Sequence, residues 1–348
     1  MSAASPISLV QRHPALEPDR LFGELVPPPR FADVSFDTYQ PDPAEPSQAV
    51  ALQHTRDFAA TVASGRAGGS GRRRWWRGGG RGSESSGIYL DGGFGVGKTH
   101  LLASMWRSSP EPRLFATFVE LTHVVGALGF AAAVQRLSDY RLLCIDEFEL
   151  DDPGDTVLVA SLLGRLAESG VRLAATSNTL PDRLGEGRFA AEDFLREIQS
   201  LSARFEVVRI DGPDFRHRGL PQPPEPLDDE AVTRVALATT GASLDHFVDV
   251  CRHLPQVHPS RYSALLDGVS TVCLHQVRTV NDQTLGLRLV VLADRLYDRD
   301  VAVVASGVPL DRLFTAELLS SGYRKKYFRA VSRLAALARE ARSSEQPG

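Results

Sequence analysis

From Gly87 onward, short apolar segments alternate along the chain with longer segments of helical periodicity. The helical pattern is clearest over Val157–Glu168 and Ala190–Ser202, and a further helix is predicted over Ser47–Val62. Regular alternation of strand and helix is typical of a parallel sheet covered by helices on both faces. The apolar segments predict five strands: Ile88–Leu90, Leu114–Phe118, Leu142–Asp146, Val171–Thr176 and Glu206–Ile210.

Three segments interrupt this alternation. Residues 1–47 are rich in proline and predict an extended lead-in, and residues 64–87 form a Gly/Arg/Ser insertion that cannot bury enough apolar surface to order itself. The proline-rich run Asp211–Glu230 indicates a domain boundary, because its prolines forbid helix. We therefore expect four parts: an amino-terminal segment with the insertion over 1–86, a core over 87–211, a linker over 212–230 and a smaller α/β region over 231–345.

The carboxyl-terminal region has the pattern helix, strand, helix, strand and terminal helix, and it contains a weak repeat. Residues 272–306 echo residues 142–177, since both have the pattern strand, polar turn, helix, strand and serine. Where the first segment has the acidic pair Asp146–Glu147, the second has His275–Gln276. The general similarity of β-α-β units explains this echo at least as well as a duplication does.

Composition and charge place few limits on function. The formal net charge of −4 argues neither for nor against a nucleic-acid partner. The three cysteines have no CxxC spacing, which favours reduced thiols over a disulfide framework. The first residues lack the pattern of a signal peptide, and no apolar run approaches the ~18 residues of a spanning helix. These features predict a soluble, cytoplasmic protein without a transmembrane segment.

The most specific motif is GxxxxGK[ST], which runs from Gly92 to Thr99 between a predicted strand and a helix at His100–Trp106. Glycines let consecutive backbone N–H groups turn inward around an anion, and the helix amino terminus adds partial positive charge. Lys98, one of only three lysines in a chain with 39 Lys and Arg, is expected to reach the β- and γ-phosphates. The Thr99 hydroxyl is expected to bind Mg²⁺. The predicted nucleotide-binding residues are Gly92, Gly93, Phe94, Gly95, Val96, Gly97, Lys98, Thr99 and His100.

The predicted strand Leu142–Asp146 ends in adjacent carboxylates, Asp146 and Glu147. Ending a buried strand in two acids is costly unless a cation or a water molecule uses them. We expect Asp146 to bind Mg²⁺ together with Thr99, and Glu147 to be the general base that activates water. A solvated turn is the ordinary explanation of such a pair, but its position after a phosphate-binding loop favours catalysis.

The next predicted strand is followed by Asn178, which we expect to contact the γ-phosphate or the attacking water. A strand-end turn or a helix N-cap would also explain an asparagine there. The base-specifying NKxD pattern of guanine-nucleotide proteins is absent, so the motifs favour ATP over GTP.

Several longer segments resemble one family. GGFGVGKTHLL, LLCIDEFELDD, LAATSN, FLREI and IDGPDFRHR are similar to the ZapE family of AFG-like AAA+ ATPases, which are found in bacterial cell division and in mitochondria. PPPRFADVSFDTYQPDPAEPSQ, LADRLYDRDVAVVASGVPLDRLF and FRAVSRL extend the resemblance over about residues 28–340. It implies an α/β P-loop NTPase of AAA+ type, with a parallel sheet flanked by helices and a smaller α/β carboxyl-terminal region. It also implies a homo-oligomer that binds ATP and Mg²⁺, hydrolyses ATP, and acts at the division site on the tubulin-like FtsZ.

An AAA+ ring requires an arginine supplied across the subunit interface to the γ-phosphate. Arg188 lies near the position of the family's arginine before the FL segment, and Arg204 lies where replication-initiator ATPases have such a residue. Both stay open as the catalytic arginine, with Arg196 a third candidate. Arg333 in the last helix is a candidate sensor within the same subunit.

The insertion departs from the family pattern. Its segment Arg72–Arg77 combines arginines with two adjacent tryptophans, which suits nucleic acid or an anionic membrane, although a solvated loop explains it equally well. Three alternatives to a division ATPase therefore stay open: a helicase-loader-type protein, an AFG-like quality-control ATPase acting on another protein client, and a scaffold that binds ATP without turnover. The intact Lys98, Asp146 and Glu147 disfavour the last.

Overall fold

A computed structural model of the protein describes residues 5–14, 22–65, 86–93, 95–149, 153–181, 184, 195–212 and 223–344. The chain divides into two compact units. The first, which we call the core unit, comprises Leu16–Pro27 and Phe31–Phe215, and the second, the carboxyl-terminal unit, comprises Met1–Ala15, Pro28–Arg30 and Arg216–Gly348. The amino-terminal segment 1–86 is therefore divided between the two units. Most of the Arg-rich insertion, including Arg72–Arg77, lies outside the described residues.

The core unit is built on a five-stranded sheet in which every described pairing is parallel. The strand order β2-β3-β4-β1-β5 places β1 between β4 and β5. The strands are β1 Gly87–Gly92, β2 Arg113–Thr117, β3 Leu142–Asp146, β4 Arg172–Ser177 and β5 Phe205–Ile210. All five predicted strands are present, so the predicted parallel α/β architecture is confirmed.

Both faces of the central strands are buried, because adjacent residues of these strands pack into different clusters, whereas the edge strand β5 has exposed residues. Tyr89 and Ile145 belong to one apolar cluster, whereas Leu90 and Cys144 belong to the other. Helices pack against both faces, as expected for a parallel sheet. The helices of this unit are α1 Pro46–Ala63, α2 Lys98–Ser108, α3 Phe118–Leu128, α4 Phe130–Leu137, α5 Pro153–Glu168 and α6 Leu195–Ser202.

Several predicted strand ends differ from the observed ones by one or two residues, and one of these differences has a clear physical cause. Phe118 was expected in the second strand, but it is the first residue of α3. The Thr117 side chain caps this helix by accepting from the Glu120 N–H, and the Glu120 side chain accepts from the Thr117 N–H in return. This reciprocal capping box begins the helix directly at the strand end.

The carboxyl-terminal unit contains a second parallel sheet, of order β6-β7-β8. Its first strand was not predicted, because its alternation is obscured by Asp245, which is buried. Ser8 Oγ and the Leu9 N–H donate to the Asp245 carboxylate at 2.6 and 2.8 Å, so residues near the amino terminus cover it. The elements are α7 Asp229–Ala238, β6 Ala242–His246, α8 Phe247–His253, α9 Tyr262–Leu265, β7 Thr271–Val277, α10 Gln283–Asp298, β8 Ala302–Gly307, α11 Ala316–Ser320 and α12 Arg324–Ser344.

The repeat suggested by the sequence extends further in the structure. Strands β6 and β7 begin 129 residues after β2 and β3 (113 to 242, and 142 to 271), and β8 begins 130 residues after β4 (172 to 302). Helices that begin with Phe-Val follow both β2 and β6 directly, as α3 and α8. The second sheet therefore repeats the order and spacing of β2, β3 and β4.

No single helix in the described part of the chain is both long enough and apolar enough to cross a membrane. The bent pair α3 and α4 meets these two criteria together, with 119° between its members.

Candidate functional site

The phosphate-binding motif connects β1 to α2, as predicted. Two of its glycines are required by close packing. A Cβ on Gly92 would lie 2.3 Å from the Ile210 carbonyl oxygen of β5, and a Cβ on Gly97 would lie 2.4 Å from Cε2 of Tyr39. Gly97 also has a φ of 85°, which side chains disfavour. Phe94 lies outside the described residues.

Lys98, the first residue of α2, is buried within this loop. Its ammonium donates to the carbonyl oxygens of Gly92 and Gly93 at 2.8 and 2.5 Å, and to Oδ1 of Asn178 at 2.9 Å. These contacts hold a positive charge where the loop turns, and they connect the loop to the end of β4. The structure therefore brings together Lys98 and Asn178, which are 80 residues apart in sequence.

Asp146 ends β3 and adjoins Thr99. The Thr99 hydroxyl donates to Asp146 Oδ1 at 3.2 Å, and the buried Thr176 of β4 donates to the same oxygen. Burial, followed by the negative charge of Glu147, raises the pKa of Asp146 to about 6, although the hydrogen bonds from Thr176 and Thr99 and the charge of Lys98 act in the opposite direction. Thr176 was not among the predicted site residues, and the one signal for it in the sequence is its place near the end of a predicted buried strand.

Glu147 follows directly, with an unusual backbone. Its φ of 53° lies in the left-handed region, where residues other than glycine are uncommon. Its N–H donates to Thr176 Oγ1 at 3.1 Å, and the next N–H, that of the fully buried Phe148, donates to the Thr176 carbonyl oxygen at 2.7 Å. Strained backbone of this kind is often held in place at functional sites. The same threonine thus fixes both residues of the acidic pair.

Asn178 follows β4, and its side-chain amide contacts two groups of opposite charge. Its Oδ1 accepts from Lys98, and its Nδ2 donates to Oε1 of Glu149 at 3.4 Å. Glu149 was not singled out in the sequence, although the motif DEFE contains it.

The segment before α1 contacts the phosphate loop as well. The Tyr39 hydroxyl donates to the Val96 carbonyl oxygen at 2.9 Å, and burial raises the pKa of Tyr39 to about 12. His100 Nε2 lies 3.0 Å from both Thr38 Oγ1 and the Ser35 carbonyl oxygen. His100, predicted to bind nucleotide, is thus held by residues 35–38. Tyr39 was not among the predicted site residues, because its role depends on a contact across 57 residues.

The candidate arginines do not lie together in the described structure. Arg204 directly precedes β5, whereas Ile210 at the other end of β5 pairs with Gly92, so Arg204 is about 20 Å along the strand from its own phosphate loop. Its guanidinium lies against Gly164 of α5. Arg196 is exposed on α6, and Arg188 lies outside the described residues. At this distance Arg204 does not reach the phosphate loop of its own chain, and a role across a subunit interface stays a prediction.

Arg333 lies in the carboxyl-terminal unit, where its guanidinium donates to Asp294. Arg329 donates to the other oxygen of this buried carboxylate at 2.5 Å. Burial tends to raise the pKa of Asp294, but the two guanidinium groups outweigh it and lower the pKa. Arg333 therefore has a structural partner in its own unit, and a sensor role for it stays a prediction.

The donor set of the core site fits a magnesium nucleotide. Mg²⁺ is bound in proteins by oxygen ligands, usually one or two carboxylates together with phosphates. Thr99 Oγ1 and Asp146 Oδ1 are two such oxygens, placed beside a loop of backbone N–H groups. No cluster of three or more His, Cys, Asp or Glu side chains suited to a metal occurs in the described ranges.

Comparison with known proteins gives relatives over most of the chain. This chain is 27% identical over 293 residues to the cell division protein ZapE of Escherichia coli (strain K12), and the alignment covers 71% of this chain and 76% of that protein. It is also 32% identical over 90 residues to lactation elevated protein 1 homolog B of Danio rerio, in an alignment that covers 26% of this chain and 18% of that protein.

Among solved structures, the replication initiator DnaA bound to AMPPCP and single-stranded DNA aligns with 91% of this chain and 94% of its own, at 11% identity and a TM-score of 0.39. The sequence profile of the AFG1-like ATPase family matches residues 16–237 and 223–344. These two ranges of the profile match include both parallel sheets and the whole phosphate-loop site. This chain therefore belongs to the AFG1-like ATPase family.

Proposed function

We propose that this protein binds ATP with Mg²⁺ at the loop Gly92–Thr99 and hydrolyses it with Glu147 as the general base. The observation that carries this proposal is the convergence of four side chains from three elements on one loop. Lys98 and Thr99 begin α2, Asp146 ends β3 and Asn178 follows β4, and they are joined by hydrogen bonds of 2.9 and 3.2 Å. Convergence of ammonium, hydroxyl, carboxylate and amide at the carboxyl edge of a parallel sheet is typical of phosphoryl-transfer sites.

Each residue then has a defined part. The Lys98 ammonium exchanges its carbonyl contacts for the β- and γ-phosphates, and the loop N–H groups surround the phosphates. Thr99 and Asp146 hold Mg²⁺, which when bound neutralises charge on the phosphates. Glu147 accepts the proton of the attacking water, and its position is fixed by the hydrogen bond from its N–H to Thr176. Asn178 donates to the γ-phosphate or orients the water.

The proposed biological role is action on the division machinery, with the FtsZ ring as client and nucleotide-driven remodelling as the mode of action. Its support is the similarity to the cell division protein ZapE of E. coli, which spans 71% of this chain. We further propose a cytoplasmic homo-oligomer, recruited to the division site, in which Arg188 or Arg204 of one subunit completes the site of the next. Arg204 suits this part because it lies at the sheet edge opposite its own loop.

Three measurements test the proposal. Phosphate release by the purified chain with and without Mg²⁺ tests hydrolysis, and its absence would leave an ATP-binding scaffold. Cosedimentation with FtsZ polymers, with ATP and with ADP, tests the client, and nucleotide-independent or absent binding would reject remodelling of FtsZ. Salt-dependent binding of a labelled single-stranded oligonucleotide would instead support the helicase-loader alternative.

A further inference from the structure

Glu149 is a buried carboxylate near the proposed catalytic groups that has no part in the mechanism above. It is 6% exposed and follows Phe148, which is fully buried. The Phe148 ring meets the rings of Tyr89 and Phe118 edge-on, with centroids 6.3 and 5.3 Å away. This packing fixes the backbone from which Glu149 projects. A buried carboxylate is costly, so its position calls for a reason.

The contact with Asn178 supplies one. The Asn178 amide lies between the Lys98 ammonium, 2.9 Å from Oδ1, and the Glu149 carboxylate, 3.4 Å from Nδ2. An ammonium can only donate and a carboxylate can only accept, so the two charges allow a single orientation of the amide. With the amide reversed, its NH₂ group would face the ammonium and its oxygen would face the carboxylate, and both contacts would be repulsive.

This orientation matters for the part proposed for Asn178. Nδ2 carries two hydrogens, and Glu149 accepts one of them, which leaves the other for a phosphate oxygen or the attacking water. When Lys98 turns toward the nucleotide, its contact with Oδ1 weakens, and Glu149 becomes the group that keeps the NH₂ end in place. Hydrogen bonds to a charged acceptor are stronger than neutral ones, which suits Glu149 to this task.

We propose that Glu149 is a positioning residue for hydrolysis, which acts by orienting Asn178 and does not itself contact the nucleotide. This inference rests on the proposed ATP hydrolysis. It implies that removal of Glu149 lowers kcat and leaves ATP affinity nearly unchanged, because the loop, Lys98 and Thr99 supply the binding contacts. It also implies that the effect depends entirely on Asn178.

The experiment is a double-mutant cycle of Glu149 and Asn178, with phosphate release, ATP-analogue binding and thermal melting measured for each variant. We expect kcat to fall about tenfold in Glu149→Ala, and about threefold in Glu149→Gln, whose neutral amide keeps the shape and one acceptor. Analogue affinity stays within about twofold. In the Asn178→Ala background, both Glu149 substitutions leave kcat unchanged, because the group that Glu149 orients is gone.

Glu206→Ala on β5 is the matched control, since this glutamate is exposed and its side chain pairs with the exposed His54. Wild-type kcat in both Glu149 variants, or an equal fall with and without Asn178, would overturn the inference and leave the proposed function intact. If Glu149→Ala does not fold, the isosteric Glu149→Gln completes the cycle alone. Absence of hydrolysis by the wild-type chain would overturn the proposed function and this inference with it.

Discussion

The carboxyl edges of the two sheets share a backbone arrangement and differ in charge. At the first edge, Glu147 has a φ of 53° and its N–H donates to Thr176 Oγ1 on the neighbouring strand, at 3.1 Å. At the second, Gln276 has a φ of 55° and its N–H donates to Ser306 Oγ on the neighbouring strand, at 2.8 Å. The hydroxyl in each case also donates to a carboxylate, Asp146 or Asp229.

The pKa values of these two carboxylates are shifted in opposite directions. The pKa of Asp146 is raised to about 6, mainly by burial and then by the adjacent Glu147. The pKa of the partly exposed Asp229 is lowered, first by the hydrogen bond from Ser306 and then by that from Gln276. In the first sheet the buried Asp146 lies beside a second, half-buried acid, as at sites that receive a cation, whereas in the second sheet the acid accepts from neutral donors.

The two edges differ in the groups that the proposed catalysis needs, but share the backbone arrangement that holds the strand end. A left-handed residue fastened to a hydroxyl on the next strand is common to both edges, so it is a property of the repeated strand-helix-strand unit. Reactivity requires the acidic pair and a phosphate loop before it, and no GxxxxGK[ST] occurs in residues 223–344. We infer that the second edge is structural and that the chain binds one nucleotide.

The largest effect is expected from Lys98→Ala, which removes the ammonium that donates to Gly92, Gly93 and Asn178. Loss of charge-assisted contacts to the phosphates should weaken ATP binding by about 100-fold and abolish turnover at ordinary concentrations. Equilibrium titration with a slowly hydrolysed ATP analogue should give one site per wild-type chain, and in the variant one site of about 100-fold weaker affinity. A second site, or a site in the variant that keeps the wild-type affinity, would show that the carboxyl-terminal unit binds nucleotide too.

Glu147→Gln should retain ATP binding while phosphate release falls by roughly 100-fold or more, because the general base is lost. Gln276→Ala is the matched change at the second edge and should leave phosphate release at the wild-type rate. Single-turnover measurements on both variants make the comparison. Near-normal hydrolysis by the Glu147→Gln variant would reject the assigned base, and a slow Gln276→Ala variant would mean that the second edge contributes to turnover.

Thr176 and Ser306 have corresponding hydroxyls at the two edges, and removing each one should show whether it supports stability alone or activity as well. Thr176→Val leaves the Glu147 N–H and an Asp146 oxygen without this partner, at a cost of about 1–3 kcal/mol in the free energy of unfolding. Ser306→Ala should lower that free energy as well, but only Thr176→Val should also slow hydrolysis, because its hydroxyl fixes Asp146 and Glu147. Denaturant unfolding and phosphate release on the same preparations test this. Equal loss of activity in the two variants would contradict the assignment of the second edge as structural.

Features that depend on local sequence patterns could be predicted, whereas features that depend on contacts between residues far apart in the sequence could not. The five core strands and the loop from Gly92 to Thr99 depend on local patterns, so they were visible without a structure. Strand β6 was missed, because Asp245 breaks its apolar alternation and is covered by Ser8 and Leu9 from the other end of the chain.

The partners of the proposed catalytic groups could not be predicted for the same reason. Thr176 and Glu149 carry no motif of their own that marks a role, and each is identified by a contact across about 30 residues. The arrangement at Gln276 could not be read from the sequence either, since a left-handed glutamine has no local signature. Sequence patterns thus located the proposed catalytic groups, whereas the groups that position them could be identified only from the fold.

The smallest effect concerns the pH dependence of stability at the second edge. Because the folded pKa of Asp229 is lowered, its hydrogen bonds stabilise the fold above the ordinary pKa of the carboxyl group, and this stabilisation is lost as the pH falls through the folded value. Ser306→Ala removes the largest cause of that shift. The difference in unfolding free energy between wild type and Ser306→Ala should therefore be largest at neutral pH and narrow progressively below about pH 5.

Denaturant unfolding from pH 7 to pH 3 measures this difference in unfolding free energy. Glu206→Ala, which alters an exposed carboxylate away from this edge, controls for general acid sensitivity. A difference between wild type and Ser306→Ala that stays constant with pH would mean that the serine stabilises the second edge through the Gln276 N–H and not through the carboxylate of Asp229.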